Sequence, residues 1–301
     1  HRITWQVFRE LRAAWAGRIE LQAVALVLPE DMAGPFGEEI ADLVAASGGV
    51  LGMVTFMVPG LDALLDRVIA LAAARGLDLD FHVDETLDPS AASLRHIATA
   101  TLRNGYAGRT LCGHCCSVSV QPGEQVERTL ALVEEAGLAV VSLPMCNLYL
   151  QDRVPGRTPR RRGVALVHEM AARGIEVAFA SDNCRDPFYA YGDHDVLEVF
   201  REAVRIAHLD RPMADWPRAV TRTPAAIMGL GERGRIAVGA PADLVLFRAR
   251  SWSELLSRPQ SDRIVLRAGR PIDATLPDHR ELDELLLRAK ARAAPGDTLT
   301  P

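Results

Sequence analysis

Residues 80–88, DFHVDETLD, place a histidine, His82, and a carboxylate, Glu85, three positions apart directly after an apolar run. An imidazole nitrogen is a ligand for a divalent metal, and a nearby carboxyl group can carry protons. The same kind of ending recurs along the chain. His114 closes RTLCGH, Asp182 closes IEVAFASD, Glu30 follows IELQAVALVLP, and Asn147 and Gln151 follow LAVVSLP. Two histidines and an aspartate offered from three strand ends are a donor set for zinc or iron. Glu85 is spaced to move a proton at the same mouth. A plainer reading competes at each position. A histidine closing a strand is commonly a hydrogen-bonded structural residue, and Asp182 in SDN suits the N-cap of a following helix. The shared-metal reading is favoured because His82, His114 and Asp182 all fall at strand ends and none in a helix interior.

The remaining candidates are weaker. His96 and His168 lie in helical patterns, and His194, His208 and His279 lie on helix or loop patches without partners. CGHCC, 112–116, has metal-ligand residue types, but no second ligand pair follows at the short spacing of a structural zinc site. Cys112, Cys115 and Cys116 read as small packing residues near the mouth. PGRTPRRRG, 155–163, is either a solvated basic loop or a contact for an anionic substrate group or a neighbouring subunit.

The elements that must position these residues alternate. Apolar runs at 19–29, 49–56, 77–83, 108–114, 138–144 and 175–182 read as strands. Helical periodicity at 35–47, 61–76, 89–105, about 123–136, 163–174 and 195–208 separates or follows them, with a long polar loop after residue 144. Six strand–helix units imply a parallel sheet covered by helices. No glycine-rich phosphate loop follows the first strand, which disfavours a doubly wound sheet. The expected fold is α/β, a (β/α)8 TIM-type barrel. A closed barrel needs eight strands, so the first two are expected to be missing from the front of this chain. Active sites of such barrels lie at the C-terminal strand ends, where the residues above converge. Residues 1–230 are expected to form the barrel part and 231–275, short and glycine-punctuated, a small β appendage. The stretch 276–301 reads as an amphipathic helix and a frayed tail.

The 301 residues are 49% hydrophobic and 24% charged, with a formal net charge of −5. This disfavours nucleic acid as the main partner. Charges, prolines or glycines interrupt every apolar run before membrane-spanning length, so no membrane partner is expected. Five cysteines, an odd number in a large chain, argue for a reducing compartment, and a cytoplasmic location is the expectation.

At FHVDET, GHCCSVSVQ, NLYLQDRVPGRTPRRRG and ASDNCRDPFYAYGDHD the chain resembles the amidohydrolase superfamily, most closely its cytosine deaminase-like branch. The resemblance runs from about residue 19 to the C-terminus. GRIAVGAPADLVLF looks like the β-sandwich segment common there. The resemblance implies one divalent metal, zinc or iron, held by His82, His114 and Asp182. Glu85 then resembles the proton shuttle, His114 the histidine that polarises at the metal-water site, and Asp182 the base that takes the proton of water. Glu30, Gln151, Asn183 and Phe188 become substrate-binding candidates. Four features depart from the family pattern. The H-x-H pair of its first strand is absent from this sequence, and Glu30 stands where cytosine deaminases carry a glutamine. Asn183 replaces an aspartate, and Phe188 replaces a tryptophan. An ionised carboxylate only accepts hydrogen bonds, so Glu30 would prefer a substrate with an extra N–H. The implied activity is hydrolytic deamination of a cytosine-like heterocycle by a homo-oligomer. The alternatives are cleavage of a cyclic amide or N-alkyl group, and a truncated, non-catalytic binding protein.

Overall fold

The computed structural model describes residues 1–292; the expected frayed tail lies outside the described residues. The chain divides into two compact units, His1–Pro241 with Leu256–Pro259, and Ala242–Leu255 with the residues from Gln260 on. The boundary expected at 230 falls inside the first unit. Arg233 reaches back to Glu20 at 3.1 Å, and Gly234 lies against the backbone of Thr221.

In the first unit the order is α1 (Arg2–Ala14), β1 (Val24–Val27), α2 (Pro29–Ala33), α3 (Pro35–Ser47), β2 (Val50–Thr55), α4 (Leu61–Ala73), β3 (Leu79–Val83), α5 (Ser93–Arg103) and β4 (Thr110–His114). Then come α6 (Gly123–Glu135), β5 (Ala139–Ser142), α7 (Pro144–Leu150), α8 (Val167–Ala172), β6 (Val177–Phe179), α9 (Val196–Ala207) and α10 (Arg222–Ile227). Strands β1 to β6 lie side by side in sequence order and every pairing is parallel. Six parallel strands alternating with helices make this an α/β TIM-type fold.

The core forms where one face of the sheet meets the helices. Leu79, Phe81 and Val83 of β3, with Leu51 and Met53 of β2, pack with Leu65 and Ile69 of α4, Leu94 and Ile97 of α5, and Leu130 and Val133 of α6. Alternate residues of β3, Asp80 and His82, point to the opposite face. At Gly52 a Cβ would collide with the Asp80 carbonyl oxygen and lie 2.6 Å from Val24 Cγ1, so only glycine lets these strands approach.

Several boundaries differ from the sequence expectation. The apolar run at 19–29 yields only a four-residue strand, because Pro29 starts α2. The segment expected to be a polar loop after β5 begins with α7, where Pro144 again occupies the first turn. The helix expected at 163–174 is shorter, because Gly163 is left-handed and packs on Gln151.

The second unit holds β7 (Leu244–Leu246), β8 (Ile264–Arg267) and β9 (Arg270–Pro271), a three-stranded antiparallel sheet. A short helix, α11 (Trp252–Leu256), falls between β7 and β8 in sequence, and α12 (Asp283–Arg292) follows the sheet. No helix among the described residues is long and apolar enough to cross a membrane.

Candidate active site

The C-terminal ends of β3 and β4 bring His82 and His114 together by an irregularity in the backbone. In the register His82 pairs with Gly113 and Val83 with His114. A regular strand would turn the His114 side chain to the face of Val83, toward the helices. His114 instead has φ 67°, and Cys115 follows at φ 52°. Both values are costly for residues with a Cβ. Gly113 carries no side chain, and the His114 ring lies beside His82, with ring centroids 4.8 Å apart. The end of β3 is tied down from both sides. Thr55 Oγ1 donates to the His82 carbonyl at 2.8 Å, and the Asp84 carbonyl accepts from the Cys116 amide at 3.1 Å. Asp84, buried and left-handed at φ 46°, accepts from the Leu94 amide at the start of α5. Glu85 leaves from this anchored turn.

The resulting cluster has unambiguous distances. His114 Nε2 lies 3.2 Å from His82 Nδ1. On its other side, His114 Nδ1 lies 3.0 Å from Asn147 Nδ2, 3.4 Å from Glu85 Oε1 and 3.9 Å from Asp182 Oδ2. Asn147 Nδ2 also donates to Glu85 Oε1 at 3.1 Å. Gln151 Nε2 donates to the Glu85 carbonyl at 3.1 Å, from the C-terminal end of α7.

Electrostatics follow from this packing. Glu85 is pushed up to about 7, first by desolvation and then by the Asp182 carboxylate, against the opposing hydrogen bond from Asn147. His114 is lowered to about 4 by burial and by His82, and burial lowers His82 as well. Both imidazoles are therefore neutral near pH 7. Burial, reinforced by Asp182, pushes the Cys146 thiol up to about 12.

Of the residues singled out in the sequence, the structure gathers His82, Glu85, His114, Asn147, Asp182 and Gln151. Asp182 is not a helix N-cap: α9 begins at Val196 and is capped by Asp195, whose carboxylate accepts from the Leu197 amide at 3.0 Å. Asn183 is a neighbour whose amide is committed to its own loop. It donates to Asp186 at 2.7 Å and accepts from Cys146 Sγ at 3.6 Å. Glu30 sits exposed in the first turn of α2, and Phe188 is 63% exposed. Neither makes a hydrogen bond or ring contact with the cluster among the described residues. The basic run folds back on itself. Asp152 accepts from the Arg157 side chain and from the amides of Arg160 and Arg161. Cys146 and the bridging role of Asn147 escape a reading by strand ends. Pro144 is the signal that was available, because it starts a helix whose first turn turns both residues inward.

Residues 20–273 match the amidohydrolase family. The chain belongs to the amidohydrolase family. It is 58% identical over 287 residues to a pterin deaminase of Rhizobium rhizogenes, covering 95% of this chain and 66% of that protein. It is 25% identical over 217 residues to an N-isopropylammelide isopropyl amidohydrolase of a Pseudomonas species, covering 70% of this chain and 50% of that protein. The fold superposes on a 5-methylcytosine deaminase of Klebsiella pneumoniae liganded with 5-fluorocytosine, with a TM-score of 0.78 at 25% identity. That match covers 91% of this chain and 68% of the other. The chain thus spans between half and two thirds of the length of these two curated relatives.

Amidohydrolase family members use a divalent metal, and the residues here fit one. Asp182 Oδ2 is buried without a hydrogen-bond partner among the described residues. A buried carboxylate oxygen of this kind is stabilised by a cation. Two imidazole nitrogens 3.2 Å apart share either a proton or a cation, and both rings are held neutral as metal binding requires. The three expected ligands do not all face one point. His114 turns Nε2 to His82 but Nδ1 to Asp182. The group whose donor atoms do converge, within 4.8 Å of one another, is Glu85, Cys146 and Asp182.

Proposed function

We propose that this chain carries the metal-binding and proton-transfer residues of a hydrolytic deaminase acting on a nitrogen heterocycle, and that the heterocycle is a pterin. The observation that carries the reading is the single cluster of Glu85, His114 and Asp182 at three strand ends, in a chain 58% identical to a pterin deaminase. The cytosine-like substrate expected from the motifs gives way to this larger ring. A pterin carries an amino group on a carbon between two ring nitrogens, one of them N–H in the common tautomer. Glu30, an acceptor, suits those hydrogens better than a glutamine would.

His82 and Asp182 are proposed as ligands for zinc or iron, with His114 as the hydrogen-bonding neighbour of His82. When bound, the ion supplies water of lowered pKa. Asp182 takes the proton from the attacking water. Glu85, in its acid form, donates a proton to the ring nitrogen beside the amino-bearing carbon. The N–H of His114 donates to the oxygen as charge builds on it. Asp182 passes the water proton to the amino nitrogen, the carbon–nitrogen bond breaks to release ammonia, and the hydroxyl proton returns to Glu85 as the carbonyl forms. Gln151 holds the Glu85 backbone, and Asn183 keeps the loop after Asp182 in place.

Parallel assays with pterin, cytosine and N-isopropylammelide test the substrate. The expected result is ammonia and the 2,4-dioxo pteridine from pterin. Ammonia from cytosine, or isopropylamine from N-isopropylammelide, with nothing from pterin would contradict it.

A further inference from the structure

We infer that the first unit carries a second heterocycle-binding site, separate from the catalytic mouth, which takes an unreacted pterin by its amino edge. The identity of the ligand rests on the deaminase reading above; the cavity does not. α7 divides the two places. Successive helical residues point about 100° apart, so Met145, Leu148 and Tyr149 share a face turned away from Cys146 and Asn147. That outer face and the loop after Asp182 line a cavity of about 570 Å³, an ordinary size for a small-molecule site. Its aromatic wall is Tyr149, Tyr189 and Tyr191, each edge-to-face with the other two, with ring centroids 5.2 to 5.9 Å apart. The wall is set before any ligand arrives. Asp186 accepts from the amides of Phe188 and Tyr189 at 2.9 and 3.0 Å, and the Arg185 amide donates to the Tyr191 carbonyl at 3.1 Å. Rings held in this way lose little further freedom on binding.

Two charged groups in the same cavity have no ionic partner among the described residues. Arg153 lies over the Tyr149 ring, 4.4 Å from its centroid, and its guanidinium makes no hydrogen bond or ion pair there. The Glu198 carboxylate, in the first turn of α9, makes none either. The neighbouring charges are committed elsewhere. Arg157 is held by Asp152, and Glu202 accepts from Arg201 at 3.2 Å and from Arg205 at 2.7 Å. Glu198 stands near enough to the Tyr189 phenol to add to burial in pushing its ionisation up. An unpaired cation and an unpaired anion beside aromatic rings suit a flat ligand with two donors on one edge and an acceptor next to them. Pterin has that pattern. Its amino group and N3–H offer two hydrogens to the two Glu198 oxygens, and its C4 carbonyl accepts from Arg153, with the ring against the tyrosines. The deaminated product carries a carbonyl where the amino group was, which sets an oxygen against the carboxylate. The cavity therefore favours substrate over product.

Bound pterin is counted by rapid ultrafiltration of zinc-loaded Glu85→Gln protein, in which turnover is expected to be slow. Two equivalents per chain are expected, one at the mouth and one in the cavity. Adding Glu198→Ala should weaken one of them by about 10- to 100-fold, the effect of losing hydrogen bonds to a charged group. Adding Tyr191→Ala instead should weaken the same one by about 2- to 10-fold, as for a lost aromatic pair. The 2,4-dioxo pteridine should fill no more than the mouth. With Glu85 intact, E198A should keep both kcat and KM on pterin. A single equivalent untouched by E198A would overturn the inference, as would a second one bound equally well by both variants or filled equally well by the product. A rise in KM matching the lost affinity would assign that equivalent to the mouth and overturn it too. If the unaltered protein releases no ammonia from pterin, the deaminase reading fails. An equivalent of pterin lost in E198A would then still establish the cavity site, and the absence of any such equivalent would remove it.

Discussion

Glu85→Gln is expected to lower kcat on pterin by about 10²- to 10⁴-fold, the usual contribution of a positioned acid or base. Glutamine keeps the size of the side chain and its contact with Asn147 but has no proton to give. The effect follows from where Glu85 sits. A third of its side chain remains exposed at the mouth, yet desolvation and the Asp182 charge hold the carboxyl up at about 7, from an ordinary value of 4.5. An acid with that value is protonated on the acid side of neutrality and can still release its proton. The rate of the unaltered enzyme should therefore fall as pH rises through about 7, and the residual rate of E85Q should lack that fall. Stability of the metal-free chain has the same sign. A raised folded-state pKa means that folding favours the protonated form. Its contribution is complete below 4.5 and is lost as pH rises through about 7. E85Q should unfold with no such loss across that window. Ammonia-release profiles and thermal unfolding against pH read both effects; a pH profile unchanged by E85Q would remove Glu85 from the proton path.

Asp182→Asn is expected to be the more damaging change. It removes the proposed base and a proposed metal ligand together, so the kcat loss should equal or exceed the ~10²- to 10⁴-fold of an acid–base residue, with metal falling below one equivalent per chain. A further effect follows from the electrostatics. Asp182 is the charge that adds to desolvation in raising Glu85, so D182N should move the Glu85 titration down, toward more acidic pH. Elemental analysis and a carboxyl-resolved infrared titration give the two readouts. Full metal retention with full activity would show that Asp182 has neither role.

The strands were readable because parallel strands buried on both faces leave nearly continuous apolar runs such as IEVAF and LAVVS. His82, Glu85 and Asp182 were readable because they follow those runs directly. The position of the His114 ring was not, since in regular strand geometry it belongs to the face of Val83. Only the left-handed φ at His114 moves it to His82, and no pattern of residue types announces that conformation at a histidine. α7 was hidden for a related reason. PMCNLYLQDR is too short and too polar to show helical periodicity, so Asn147 and Cys146 read as loop residues until Pro144 is recognised as a helix start. Glu30 and Phe188 illustrate the converse. Their sequence positions point to the pocket, while in this structure both side chains are exposed and make no hydrogen bond or ring contact with the cluster among the described residues.

Metal reconstitution decides whether this chain is a metal-dependent deaminase. The protein is stripped with a chelator, zinc or iron is titrated back, and ammonia from pterin is measured at each addition. No ammonia is expected at the start, then release that rises with bound metal and stops rising at about one equivalent per chain, as when a single ion activates the attacking water. Full ammonia release from the stripped protein would contradict it, as would one tightly bound equivalent that leaves pterin intact.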